Sequence, residues 1–284
     1  MKLHKSTPVP ALHLLSGSLP AEGCLHLRQF NLLRMVSYLG LTDPLYRIAI
    51  HTLTRKITFS WFSSLSKTAH MYHLPLPLWI LLVPPSKSGF KRLVFSQITK
   101  FWASKYIEAC SNFPSLKFLR PLSLPIGHGP HPLFTSCSQP HDVRVAFIQA
   151  KMLVGTYHSC WHVRHWQQAT GQCLLPNCGQ LPGDTTHLFT SCPFLRETVT
   201  QAIQTAKQTL QPYPHLLSLF STKLLLDSLP FMQFLLDPSS DLDVQALPPS
   251  FRPSAISYLM HASRSIIWPA HRCRMVALGL TRFM

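Results

Sequence analysis

The chain has 284 residues, of which 46% are hydrophobic and only 13% are charged, a composition that excludes wholesale disorder. Its 26 Lys+Arg against 10 Asp+Glu leave a net charge of +16, so the chain is poor in acids rather than rich in bases. This imbalance argues against chemistry that needs many carboxylates. It favours an anionic partner, nucleic acid before an anionic membrane.

Two helices are predicted near the start of the chain. The segment from Leu25 to Leu39 is amphipathic and predicts a helix that stops at Gly40, with Leu32 on its apolar side. Asp43 followed by Pro44 is typical of a helix start. Apolar residues at every fourth position then predict that this second helix continues to position 61.

The second helix carries a row of basic residues, Arg47, His51 and Arg55. One interpretation is a ridge that follows a phosphate backbone, and the other is an ordinary solvated face. A further helix is predicted from Ser88 to Ala109, with a stripe of apolar residues along one side. The aromatic side chains of this stripe could stack on bases, but residues at this spacing more often belong to the core. The stripe consists of Val94, Ile98, Trp102 and Tyr106.

The chain is predicted to be mostly α, with short helices separated by proline-rich loops, because no run shows sustained strand alternation. Six prolines between positions 111 and 141 indicate a linker and a boundary near position 141. We expect three segments: a basic helical region over 1–141, a metal-binding domain over 142–212 and a hydrophobic helical tail over 213–284. Net charge is +12 in residues 1–150 (16 Lys+Arg, 4 acids) and +4 in residues 151–284 (10 and 6).

Two apolar stretches, Leu74–Val83 and Leu216–Leu236, could suggest a membrane segment. The first is too short to span a bilayer, and the second contains Lys223 and Asp227, which are costly at a bilayer centre. The apolar run near the first residues is interrupted by prolines and a histidine, which is weak for a signal peptide. We expect core helices, no membrane insertion, no secretion and a nuclear or cytoplasmic location.

The most specific motif is Cys173-x4-Cys178-x8-His187-x4-Cys192, a set of four zinc-type ligands within twenty residues. Two close pairs separated by a glycine- and proline-containing loop are typical of a tetrahedral zinc site. Because four protein ligands leave no position for substrate, the zinc ion would be structural. The alternative is three unrelated buried cysteines near one histidine. Cys160, with histidines at 158, 162 and 165, is a weaker second cluster of irregular spacing.

The four-ligand motif and the residues before it resemble a region of a known protein family. The stretch Ala146–Tyr157, then Arg164–Trp166, then the four-ligand motif resembles the zinc-binding region at the C-terminal end of LINE-type (non-LTR) retrotransposon reverse transcriptases. Looser similarity extends to Leu19–Gly40 and to Arg264–Gly279. The resemblance implies that Cys173, Cys178, His187 and Cys192 bind zinc, although the first pair is more widely spaced here than the C-x2-C common in the family.

Catalysis does not carry over from the resemblance. Polymerisation in that family uses paired aspartates to hold magnesium, and no two acidic residues are adjacent in this chain. Asp227, Asp237, Asp241 and Asp243, where some relatives have a nuclease, lie among Pro, Ser and Leu without a basic partner nearby in sequence. We therefore expect no enzymatic activity.

The leading hypothesis is a non-catalytic reverse-transcriptase fragment that binds RNA or target DNA, with a full-length reverse transcriptase as a further partner. Basic residues would contact phosphates and aromatic residues would stack on bases, unless the aromatics simply cover the metal loop. The candidates are Lys151, Tyr157, Trp161, Arg164, His165 and Trp166, with Arg47 and Arg55 upstream. Two alternatives stay open: a protein-interaction module built on the zinc motif, and a degenerate remnant without function.

Overall fold

The computed structural model describes residues 7–55, 57, 59–120, 126–127, 129–157, 171–180 and 182–280. These described residues form α-helices and short 3-10 turns without a strand, which confirms the mostly α prediction. Several helices begin at a proline, whose fixed φ angle suits the first turn and whose missing N–H costs nothing there.

Contacts divide the chain into two compact units. The basic unit is Ser16–Glu108 with Pro125–Gly129, and the knuckle unit is Met1–Leu15, Ala109–Leu124 and Pro130–Met284. The basic unit holds 11 Lys+Arg and 3 acids, net +8 in 98 residues, whereas the knuckle unit carries the same net charge in 186 residues. Charge density is therefore highest in the basic unit. The predicted segment boundaries at 141 and 212 stay a prediction.

The basic unit is built from five helices. They are α2 (Ala21–Ser37), α3 (Pro44–Thr54), α4 (Trp61–Met71), α5 (Pro77–Leu82) and α6 (Lys87–Ser111, whose last three residues belong to the knuckle unit). Their buried side chains include Phe30, Leu33, Leu65, Tyr72, Ile80, Leu81 and Ile98. The stripe predicted on α6 is buried, which confirms the core interpretation of its aromatic members.

The start of α3 is as predicted, and its end is not. Asp43 caps the helix by accepting hydrogen bonds from the backbone N–H groups of Leu45 (2.8 Å) and Tyr46 (3.4 Å). The helix ends at Thr54, and α4 begins separately at Trp61 after Ser60 accepts a hydrogen bond from the N–H of Ser63 at 3.0 Å. Apolar residues at every fourth position had suggested one continuous helix. Instead, Ser60 caps the start of a second helix.

The predicted apolar side of α2, with Leu32, Val36 and Leu39, is buried only in part: Val36 is 2% exposed, but Leu32 is not buried. Leu32 is 46% exposed, and the neighbouring Leu33 is fully buried beside Phe30 and Val36. The helix begins at Ala21 and ends at Ser37, ahead of Gly40. Its sequence is apolar on several sides, so periodicity alone could not choose which side faces the core.

The described residues of the knuckle unit form α1 (Val9–Ser16, whose last residue belongs to the basic unit) and eight later helices. They are α7 (Pro132–Thr135), α8 (Pro140–Leu153), α9 (Thr185–Thr190), α10 (Arg196–Leu210), α11 (Pro214–Lys223), α12 (Ser228–Leu236), α13 (Leu242–Gln245) and α14 (Arg252–Ala277). The long helix α14 packs against α8 and, most extensively, α10. Its buried Arg264 donates hydrogen bonds to the carbonyl oxygens of Leu133 (2.6 Å) and Ser136 (3.0 Å), joining α7 to α14.

A fully buried contact between a histidine and a carboxylate lies within the knuckle unit. His131 Nε2 and Asp237 Oδ2 are 3.3 Å apart, and both side chains have no exposed surface. His131 also accepts a hydrogen bond from the N–H of Leu133 at 3.1 Å through Nδ1, so it caps α7. One histidine therefore fixes a helix start and holds a buried carboxylate 106 positions away.

The two apolar stretches form short helices. Leu74–Val83 contains only the six-residue α5, and Leu216–Leu236 is divided between α11 and α12. Among the described residues, no helix has both the length and the hydropathy needed to cross a bilayer.

Candidate metal centre

Helix α9 carries His187 into a cluster with three cysteines. Asp184 caps this helix by accepting a hydrogen bond from the His187 N–H at 2.8 Å. The N–H of Cys192 donates to the His187 carbonyl oxygen at 2.8 Å, so the chain turns back directly after α9. Both later ligands are thus placed by one short capped helix and the turn that follows it.

A tight loop places the two earlier ligands. Asn177 and Gly179 both have positive φ angles, 56° and 63°, on either side of Cys178. The Cys173 N–H donates to the carbonyl oxygen of Gln180 at 3.0 Å, which closes the loop. Asn tolerates the left-handed conformation better than most residues, and Gly adopts it freely.

The four predicted ligands come together. Their donor atoms all lie within 4.8 Å of one another; Cys178 Sγ is 3.2 Å from His187 Nε2 and 4.0 Å from Cys192 Sγ. In a tetrahedral zinc site with Zn–S bonds of about 2.3 Å, ligand sulfurs are separated by about 3.8 Å. The cluster therefore has the donor types and the size for a metal ion. The wider spacing after Cys173 does not keep that residue away.

Burial dominates the electrostatics of the cluster. It raises the pKa of the Cys173 thiol to about 12, an effect strengthened by the neighbouring thiols. Burial also raises the pKa of Cys192 and lowers the pKa of His187, although Asp184 opposes the latter. Each shift favours a neutral group, so the charge of a bound cation is what would stabilise the thiolates.

The helix after the cluster does not begin directly behind the last ligand. A helix opening at Pro193 would have placed Cys192 at its N-terminus, but α10 begins at Arg196. The N–H of Leu195 donates to the Cys192 carbonyl oxygen at 3.2 Å in an intervening turn. Backbone N–H groups of Phe194 and Leu195 lower the pKa of Cys192, but burial outweighs them.

Two residues outside the ligand set orient His187. Ser191 Oγ lies 2.9 Å from His187 Nδ1, which leaves Nε2 directed at the sulfurs. Asp184, the α9 cap, also forms an ion pair with Lys117 Nζ at 3.3 Å. Sequence reasoning missed both roles. The capping role of Asp184 could have been predicted, because Asp is a preferred N-cap residue and stands three positions before the histidine.

Ser191→Ala is expected to weaken zinc binding about 10- to 100-fold, because hydrogen bonds to the second nitrogen of a histidine ligand orient the ring. Zinc affinity is measured by competition with a chromogenic chelator. Thr190→Ala is the matched control, since its hydroxyl bonds only the helix carbonyl of Thr186, at 2.9 Å. Equal zinc affinity in the two variants would show that Ser191 has no orienting role.

Gly183→Ala is expected to disrupt the cluster. A Cβ at this position would lie 2.7 Å from the Cys173 backbone nitrogen, closer than real Cβ contacts allow, so Cys173 must shift. Gly40→Ala, whose Cβ would lie 3.7 Å from Thr42 Oγ1, is the control. We expect zinc content below one per chain for Gly183→Ala by native mass spectrometry and one per chain for the control.

The remaining predicted residues have different placements. Lys151 is half-buried in the last turn of α8, and Arg47 and Arg55 are exposed along α3 and at its C-cap. Tyr157 is 4% exposed, and its hydroxyl contacts His271 Nδ1 (2.9 Å) and Arg274 Nη1 (3.2 Å). Its ring belongs to the core, so the stacking role is not retained. Trp161, Arg164, His165 and Trp166, and the weaker cluster around Cys160, lie outside the described residues.

No protein-family model, curated protein or solved structure matches the chain.

Proposed function

We propose that this chain is a non-catalytic nucleic-acid-binding protein organised by a structural zinc centre and derived from the C-terminal region of a LINE-type reverse transcriptase. The observation that carries the proposal is the convergence of three cysteines and one histidine within 4.8 Å. The sequence resemblance names the same four residues as ligands, so the spacing and the geometry support one assignment.

Zinc is the metal that this donor set fits best. Thiolate and imidazole ligands select zinc over the hard cations, which prefer oxygen. Four protein ligands complete a tetrahedron and leave no open position, and Cys173, His187 and Cys192 are buried. The ion would therefore hold the loop and α9 together, and it would not activate a substrate.

The charge of the basic unit supports the nucleic-acid part of the proposal. Arg47, His51 and Arg55 are all exposed on α3, as a phosphate-following row requires. Lysines at positions 67, 87, 91, 100 and 105 are exposed in the same unit. Neutralising several phosphates releases counterions, so the affinity would fall steeply with salt.

The test combines metal content with RNA binding. Native mass spectrometry is expected to show one zinc per chain, and anisotropy with a labelled RNA is expected to show affinity that falls as salt rises from 50 to 200 mM, the range over which phosphate-neutralising proteins weaken most. Protein without stoichiometric zinc, or RNA affinity independent of salt, would contradict the proposal. A broad, non-cooperative melt would instead support the degenerate-remnant alternative.

A further inference from the structure

A cleft of about 550 Å³ opens in the basic unit between one face of α6 and the C-terminal end of α4. Helix α6 contributes positions 97, 100, 101, 104 and 105, a spacing of i, i+3, i+4, i+7 and i+8 that forms one continuous face about 12 Å long. Met71, Tyr72 and His73 form the opposite wall. The cleft lies away from the metal centre's residues in sequence and contains none of them.

An aromatic ring is held rigidly in this cleft. Phe101 is partly exposed, and its ring meets Tyr72 and Trp102 edge to face, at centroid distances of 5.0 and 5.6 Å. Both supporting rings are buried, and the Trp102 Nε1–H donates to the Tyr72 hydroxyl at 3.0 Å. That hydroxyl also lies 2.8 Å from His26 Nδ1. The network fixes Phe101 before any ligand arrives.

Two lysines line the cleft near this ring. Lys105 Nζ lies 4.6 Å from the Trp102 ring centroid and 5.9 Å from that of Phe101. Lys100 is exposed one helical step away. Within the described part of the chain, no carboxylate lies within 4.0 Å of either ammonium group. Glu108 lies at one end of the cleft, where its charge would limit how far an anion extends.

The opposite wall contains an unusual backbone conformation. His73 has a φ angle of 52°, and the N–H of Leu74 donates to the carbonyl oxygen of Ala69 at 2.8 Å, closing the end of α4. This helix-end position normally selects glycine. Here it holds an exposed histidine that lines the cleft. Left-handed residues other than glycine are concentrated at functional sites.

We propose that this cleft binds a single-stranded segment of nucleic acid, with one base stacked on Phe101 and adjoining phosphates on Lys100, Lys105 and His73. The inference rests on the proposed function and gives it a location. Stacking on a protein ring requires a base that is not already stacked in a duplex, which selects a single strand. Lys100 and Lys105 lie about 7.5 Å apart along the helix axis, which suits two successive phosphates rather than one.

The experiment measures anisotropy of a fluorescein-labelled 12-nucleotide oligo(U) RNA, with oligo(dT) of equal length as a second probe, on the full chain. Phe101→Leu keeps an apolar side chain and is expected to weaken binding about tenfold. Trp79→Leu, which removes another exposed aromatic residue of the basic unit, is expected to leave binding unchanged. Lys105→Gln is expected to weaken binding about fivefold, and Arg92→Gln, on the same helix outside the cleft, less than twofold.

The variant His73→Gly distinguishes a loss of binding from a general loss of stability. It removes the side chain from the cleft and relieves the left-handed strain, so we expect weaker binding with an unchanged or higher melting temperature. If the unaltered chain binds neither probe, the proposed function fails. If it binds but the cleft variants match their controls, only the cleft assignment is overturned. Tighter binding to a duplex, or full competition by a mononucleotide at equal concentration, overturns the single-strand assignment.

Discussion

Cys178→Ser is expected to remove the zinc ion and destabilise the knuckle unit more than any single surface change. The variant leaves three ligands, and Ser does not supply a thiolate. Structural zinc contributes apparent binding energies of about 10–16 kcal/mol in small zinc-dependent peptides, and this energy is folding energy for the loop. Even partial loss should lower the melting temperature by about 10 °C or more in a unit of this size.

Two measurements check this result, zinc per chain by native mass spectrometry and thermal unfolding by circular dichroism. Cys24→Ser is the matched control, because Cys24 is an exposed free cysteine of the basic unit. The control should keep one zinc per chain and the original melting temperature. If Cys178→Ser retained stoichiometric zinc, the four-residue centre would be the wrong assignment.

Asp237→Ala is expected to lower the free energy of unfolding by about 1–3 kcal/mol, the cost of leaving a buried hydrogen-bonding group without its partner. The change leaves His131 fully buried without its carboxylate and also removes the acceptor for the hydroxyl of Ser239. Urea unfolding measures the difference. Asp227→Ala is the control; Asp227 is exposed and caps α12 without a side-chain hydrogen bond, and a change below about 0.5 kcal/mol is expected.

The same pair predicts how the stability of the fold changes as the pH falls. Burial pushes the pKa of Asp237 upward, but His131 and the hydroxyls of Ser239 and Ser240 outweigh it, so the pKa lies below the ordinary value of 3.8. A carboxyl with a lowered folded pKa stabilises the fold above pH 3.8 and loses that contribution as pH falls toward the folded pKa. The stability gap between the unaltered chain and Asp237→Ala should therefore narrow below that pH. A gap that widened with acid would contradict the assigned direction.

Local signals in the sequence were reliable where one residue type has one physical role. Asp43 before Pro44 marked a helix start, and the four spaced ligands converged as their chemistry requires. The choice between Leu32 and Leu33 as the buried residue of α2 depended on which neighbours pack there, and that information is not local. The end of α3 was missed because a periodic pattern does not show that Ser60 caps a new helix.

The sequence alone did not show which residues contact each other across long distances in the chain. Tyr157 stands among basic and aromatic residues, which suggested stacking, but its hydroxyl meets His271 and Arg274 more than a hundred positions away. Asp237 lies among Pro, Ser and Leu in the sequence without a basic partner nearby, and only the fold brings it to His131. The cleft at Phe101 likewise depends on the end of α4 meeting α6, which helical periodicity does not predict.

The interleaved path of the chain sets an order in which the two units can be completed during synthesis. The basic unit begins at Ser16 and needs nothing beyond Gly129, where the N–H of Gly127 donates to the Gly17 carbonyl oxygen at 2.7 Å. The knuckle unit contains the first fifteen residues and also the whole of α14. Its earliest segment therefore cannot reach its partners until the chain has passed the basic unit; the carbonyl oxygen of Leu15, for example, accepts a hydrogen bond from the N–H of His131 at 2.9 Å.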